Sequence, residues 1–142
     1  MLDRSAPRDT TSLGVVPRLA WPWAFVACAG VLGAAGVAVG AAGTHRGGGE
    51  LTRISSEFLL IHATVIVAGS AVSLAIGRTS ILWVMALGLL TVGAVLFGGE
   101  LALAGLLDWR PVPLAAPTGG LCLIAGWLVL AVAALVKGIR HR

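Results

Sequence analysis

Glu100 stands inside the run LFGGELALAG, Leu96 to Gly105, where every other residue is apolar or glycine. A carboxylate in such a place can hold a proton, accept hydrogen bonds or attract a cation. His62, in the segment LLIHA, and His45, in GAAGTH, are the other side chains suited to proton or metal chemistry. Thr118 opens the last apolar run. His45, His62, Glu100 and Thr118 form the candidate polar cluster. Two histidines and a carboxylate are donors that a transition metal accepts. Here, however, His45 and His62 belong to different segments and no H-x-x-x-H occurs, so no metal is expected. Cys28 and Cys122 lie in apolar runs without a C-x-x-C and read as small buried hydrophobes. The glycine-rich GAAGVAVGAAG lies within an apolar run, and RGGGE, read as a flexible turn, lacks the Lys-Ser/Thr of a phosphate-binding loop. No Ser–His–Asp arrangement is readable. The expectation is a protein that is not an enzyme and carries no cofactor.

The elements that position these residues follow from composition. Of 142 residues, 58% are hydrophobic and only 11% charged, where a soluble domain has about a quarter charged. A water-facing fold of this size cannot hide so much apolar surface, which makes the bilayer the expected solvent. The net charge of +4 sits mostly in loops and at chain ends, without aromatic interleaving, so nucleic acid is not an expected partner. Four apolar runs appear: 21–43, 58–77, 81–107 and 119–138. Each reaches the ~20 residues needed to cross the hydrocarbon as a helix. The third exceeds that need, so its span is set at 81–103, with tilt or an emergent end taking up the rest. Run one could be a cleaved signal peptide, but it is longer than the ~7–15 residues of a signal core and three more runs follow. Trp21 and Trp23 suit an interfacial belt, with Pro22 in the first turn. Residues 1–20, rich in charge, Pro, Ser and Thr, read as a disordered cytoplasmic tail ahead of a transmembrane domain over 21–142.

Four spans put both termini on one side. Arg4, Arg8, Arg18, Arg78, Lys137, Arg140 and Arg142 share that side, against Arg46, Arg53 and Arg110 on the other. The positive-inside rule then predicts cytoplasmic termini. This topology gathers His45, His62, Glu100 and Thr118 at the outer end. Cys28 and Cys122 are over ~10 Å apart in depth, at about 1.5 Å per residue, too far for a disulfide. Two readings of Glu100 stay open: a wet group near the interface, or a buried one paired with His62 or with the free N–H groups around Thr118 to Gly120. For His62 a packing hydrogen bond stands against a proton relay, and for His45 a solvated loop position.

Small residues set the predicted packing. On helix 1, Ala29, Gly33, Gly36, Gly40 and Gly43 fall 4, 3, 4 and 3 apart, on one face, with Gly36 and Gly40 making a G-x-x-x-G pair. Leu32 is less central to that stripe and is expected to matter less. Gly93 shares a face with Glu100, and Gly119 shares one with Gly126. The predicted fold is an all-α integral membrane protein, a compact bundle of four transmembrane helices with its polar groups turned inward.

GAAGTH (Gly40 to His45), LLIHA (Leu59 to Ala63), LFGGEL (Leu96 to Leu101) and APTGGLCLIAGWLVLAVAAL (Ala116 to Leu135) occur in that order. They resemble the G-A-x-G-A-H, Tyr-His-Ala, Leu-Phe-Ser-Gly-Ser-Leu and Thr-Pro-x-Gly-Gly segments of the domain of unknown function 423 family. That family includes the relatives of transmembrane protein 256. The likeness covers about residues 24 to 137. Ile61 replaces the tyrosine before His62, and Glu100 replaces the second serine of Ser-Gly-Ser. The resemblance implies a four-helix protein of a bacterial inner membrane or a mitochondrion, and no established activity.

Three functions are compatible with these residues. The first is an accessory or structural subunit, packing with itself or with other membrane proteins in the cell (inner) membrane. The second is a small transporter or channel for protons or a small solute, using Glu100 and His62. The third is an enzyme, metal or haem site at the outer face. The first is the reading carried forward.

Overall fold

The computed structural model describes residues 20–46, 49–77 and 80–140. Four helices account for them: α1 (Ala20–Arg46), α2 (Gly49–Ile76), α3 (Ile81–Leu107) and α4 (Ala115–Arg140). No strand occurs among the described residues. All four helices are long and apolar enough to cross a membrane. The chain is therefore an all-α, multi-pass membrane protein. In hydrocarbon a helix is the form in which a single segment satisfies its own backbone, so apolar runs of this length have little alternative. Of the segment read as a disordered tail, only Ala20 lies within the described residues.

The helices outrun the apolar runs that announced them. α2 begins at Gly49, about two and a half turns ahead of Phe58. Those extra turns are charged. Arg53 bonds Glu50 through Nε at 2.9 Å and Glu57 through Nη1 at 2.6 Å. Such pairs at i,i+3 and i,i+4 support a helix without making it apolar, which is why hydropathy passes over them. α4 likewise starts at Ala115, a turn before Gly119, with Pro117 in its first turn, where a missing N–H costs little. Gly77 ends α2 at φ +68° and Asp108 ends α3 at φ +50°, both left-handed stops. The Trp109 N–H then reaches back to Leu103 O at 3.4 Å.

Each helix packs on its neighbours in sequence, and α1 also touches α3. The backbone of α4 approaches that of α3, while no Cα of α2 comes within 8 Å of one in α4 among the described residues, so α2 and α4 meet through side chains. The core gathers Ala29, Leu32, Leu59, Ala63, Ile66, Leu90, Ala94 and Leu123. Leu32, read from sequence as less central to the packing stripe, is 6% exposed and belongs to this core. Several leucines fill space left by a neighbour's glycine: Leu59 at Gly98, Leu87 at Gly69, Leu123 at Gly93 and Leu90 at Gly126. α3 and α4 approach most closely at Gly119, where a Cβ would stand 2.5 Å from the Phe97 backbone nitrogen. On the other side, a Cβ on Gly36 would meet Leu60 Cγ at 2.9 Å, and one on Gly40 would meet Ser56 Oγ at 2.8 Å. Gly33 stands against Ala63, and Gly43 against Thr52.

Candidate functional site

Glu100 is buried, at 5% exposure. That excludes the wet, interfacial reading within the monomer. Its level in the bundle follows from neighbours. Leu59 packs at Gly98 and Thr52 at Gly105, and Ser55 Oγ donates to Gly98 O at 2.7 Å, so α2 passes Glu100 between Ser55 and Leu59. The Gly93–Leu123 and Phe97–Gly119 approaches run antiparallel, so α4 passes it near Ala116. Glu100 therefore lies beside the first turn of α4, where the helix dipole favours negative charge. No hydrogen bond or ion pair reaches its carboxylate among the described residues.

The two groups expected to hold Glu100 do not. Thr118 is exposed and sits inside α4, its N–H bonded to Leu114 O at 3.0 Å. The N–H of Ala115 goes to Val112 O, and Pro117 has none. Because α4 starts earlier than hydropathy suggested, the N–H groups of Thr118 to Gly120 are not its free end. His62 lies about five residues further along α2 than the level of Glu100, about 7 Å down the axis at 1.5 Å per residue. Between the two levels Phe58 and Phe97 pack ring on ring, with centroids 4.6 Å apart. His45 is exposed near the end of α1. His45, Glu100 and Thr118 thus lie toward one end of the bundle, whereas the early start of α2 at Gly49 puts His62 at mid-helix rather than at that end, and the four do not form one site. Among the described residues no group of three or more His, Cys, Asp or Glu side chains is placed to hold a metal ion.

His62 has a built environment of its own. It is 5% exposed. Its Nδ1 lies 2.7 Å from Phe58 O, and its Nε2 accepts from Trp127 Nε1 at 3.4 Å. A carbonyl can only accept, so Nδ1 carries the proton and Nε2 is the acceptor. Phe58 stacks on the ring at 5.7 Å, and Trp127 meets it edge-on at 6.2 Å. These side chains line a groove of about 490 Å³ between α2 and α4, floored by Phe97. Sequence reasoning singled out His62 but missed Phe58 and Trp127. The i,i+4 spacing of Phe58 and His62 was the available signal. Trp127 carries none, because it arrives through the α3–α4 packing.

The other polar groups are satisfied locally. Ser70 donates to Ile66 O at 2.8 Å, Ser73 to Gly69 O at 2.9 Å, and Thr52 to Gly49 O at 2.9 Å. Ser56 crosses to Gly36 O at 2.8 Å. A second cleft of about 460 Å³ lies where α1 meets α2, beside Ser56, Arg53 and Glu57. Both cysteines are free thiols. Cys28 is exposed on the outward face and not buried, and Cys122 is half-buried.

A family described as "Protein of unknown function (DUF423)" matches residues 32–120. No curated protein and no solved structure matches the chain.

Proposed function

The chain belongs to the DUF423 family, and from that premise we propose that it is a structural or accessory subunit of the cell (inner) membrane, not an enzyme, acting by packing with itself or with other membrane proteins. The termini face the cytoplasm in this reading, with more arginine and lysine on their side of the membrane. The observation that carries it is the way the interior is closed. Glycines receive leucines at the seams between helices, and buried hydroxyls are returned to backbone carbonyls. A polar path would need to join Glu100 to His62, and the Phe58–Phe97 ring pair stands between their levels. What remains for interaction is outward apolar surface. Leu121, Leu128 and Leu135 of α4 are each more than 60% exposed, as are Val31 and Val37 of α1. The G-x-x-x-G pair of α1 is taken up inside the chain, where Gly36 and Gly40 face Leu60 and Ser56 of α2.

The test is purification of the full chain in mild detergent with identification of bound proteins, alongside reconstitution in liposomes. The expected result is a stoichiometric partner or a self-associated species, and no pH-driven flux. One observation favours the transporter reading: Glu100 is buried without a bonded partner among the described residues. A proton flux in liposomes that Glu100→Gln abolishes, with the fold intact, would replace the subunit reading.

A further inference from the structure

We propose that the groove between α2 and α4 is a binding site for a lipid-soluble phenol- or quinol-class molecule, whose ring hydroxyl inserts between His62 and Trp127. The proposal is independent of the subunit reading.

The groove holds about 490 Å³, within the roughly 300–1,000 Å³ range of small-molecule sites. Its walls are Phe58, Phe97 and Trp127 rings with Ile124, and its polar feature is the His62–Trp127 pair. That pair also bridges two helices with no Cα approach within 8 Å. At 3.4 Å the bridge is longer than the usual ~2.7–3.2 Å for an N–H donor, so it opens at low cost. Ile124 is 61% exposed and Trp127 44% exposed, so the mouth faces the lipid and the ligand enters from there.

The chemistry selects a hydroxyl. Phe58 O holds the proton on Nδ1, which leaves Nε2 as an acceptor, while Trp127 Nε1–H is a donor. A group placed between them must accept from the indole and donate to the imidazole. A hydroxyl does both, whereas a quinone carbonyl or an ether only accepts. The surrounding rings favour a planar ring on that hydroxyl. A second helix is a poorer occupant. On α4 the lining runs from Gly120 to Trp127, about 10 Å at 1.5 Å per residue, too short for a helix seam. An acyl chain would fill the volume but leave the polar pair unused.

The experiment uses the full chain in lipid nanodiscs, with 4-decylphenol and its methyl ether, 4-decylanisole, as probes. The readout is the indole N–H resonance of Trp127, assigned by its loss in Trp127→Phe. The phenol should shift this resonance saturably, with a midpoint about tenfold lower than the ether's, as for one net hydrogen bond. Trp109, outside the groove, should not respond. His62→Phe should erase the difference between the probes. Gly120→Leu fills the groove from a position whose Cβ would meet only Phe97, at 3.9 Å. It should abolish both shifts, and it keeps the test decisive if the His62 variant fails to fold. Equal midpoints for the two probes, no saturable shift, or shifts unchanged in Gly120→Leu would overturn the proposal.

Discussion

Glu100 shows how burial and bonding separate at the scale of a residue. The side chain is 5% exposed and beside the first turn of α4, but no donor among the described residues reaches it. Replacing its carboxyl group by a neutral amide should therefore relieve more than it removes. Glu100→Gln is expected to fold and to keep or raise the thermal midpoint in detergent. A fall of several degrees would mean that a donor acts on Glu100 in solution. Ser55 and Ser70 make a second contrast. Both are fully buried, but Ser55 bonds across to α3 at Gly98 O while Ser70 bonds its own helix at Ile66 O. Ser55→Ala should cost about 1 kcal/mol. Ser70→Ala should stay within about 0.5 kcal/mol, because its bond does not hold two helices together. Denaturation of the two variants side by side reads the difference.

At the scale of the element, what matters about a glycine is which atom it faces. Gly119 faces backbone: a Cβ there would lie 2.5 Å from Phe97 N and 3.0 Å from Gly93 O, and neither can swing aside. Gly119→Ala should push α4 off α3 and cost about 1–3 kcal/mol. Gly88 is also helical but has nothing within 4 Å of its Cβ position. Gly88→Ala should be neutral or gain up to about 1 kcal/mol from helix propensity. If both changes cost the same, the α3–α4 crossing is not where these distances put it. Leu32→Ala belongs beside them. As a core residue it should cost about 2–5 kcal/mol, against its sequence reading as a lesser position.

On the scale of the whole molecule, the helices run antiparallel in sequence order, so the α1–α2 turn and the α3–α4 loop share one end. Reporter fusions at Arg142 and in the segment from Arg46 to Glu50 should therefore report opposite sides of the membrane, with Arg142 cytoplasmic. Matching signals would be incompatible with four crossings. The open side between α2 and α4, and the apolar faces of α1 and α4, are where the bundle meets lipid or another protein. Cross-linking through Cys28, exposed on α1, reads whether that face is occupied. A self-associated protein should give a linked dimer in membranes that is absent from Cys28→Ser.

Local properties were legible in the residues themselves. Length and hydropathy were enough for four helices in a membrane, because hydrocarbon leaves an apolar chain of that length one way to satisfy its backbone. The burial of His62 could be suspected for the same reason. Helix ends were less legible: the Glu50–Arg53–Glu57 ladder and Pro117 lie in helices that hydropathy alone starts later. Partnership was not legible at all. Topology puts His45, Glu100 and Thr118 toward one end of the bundle, but the charged turns that lengthen α2 leave His62 at mid-helix. Register decided that Glu100 is level with Ala116 and with α2 between Ser55 and Leu59, that Phe58 and Phe97 pack between it and His62, and that Trp127 is the indole His62 meets. A shift of one turn in α4 would change that partner without changing the apolar pattern. Only the fit of leucines against glycines between the helices sets the register.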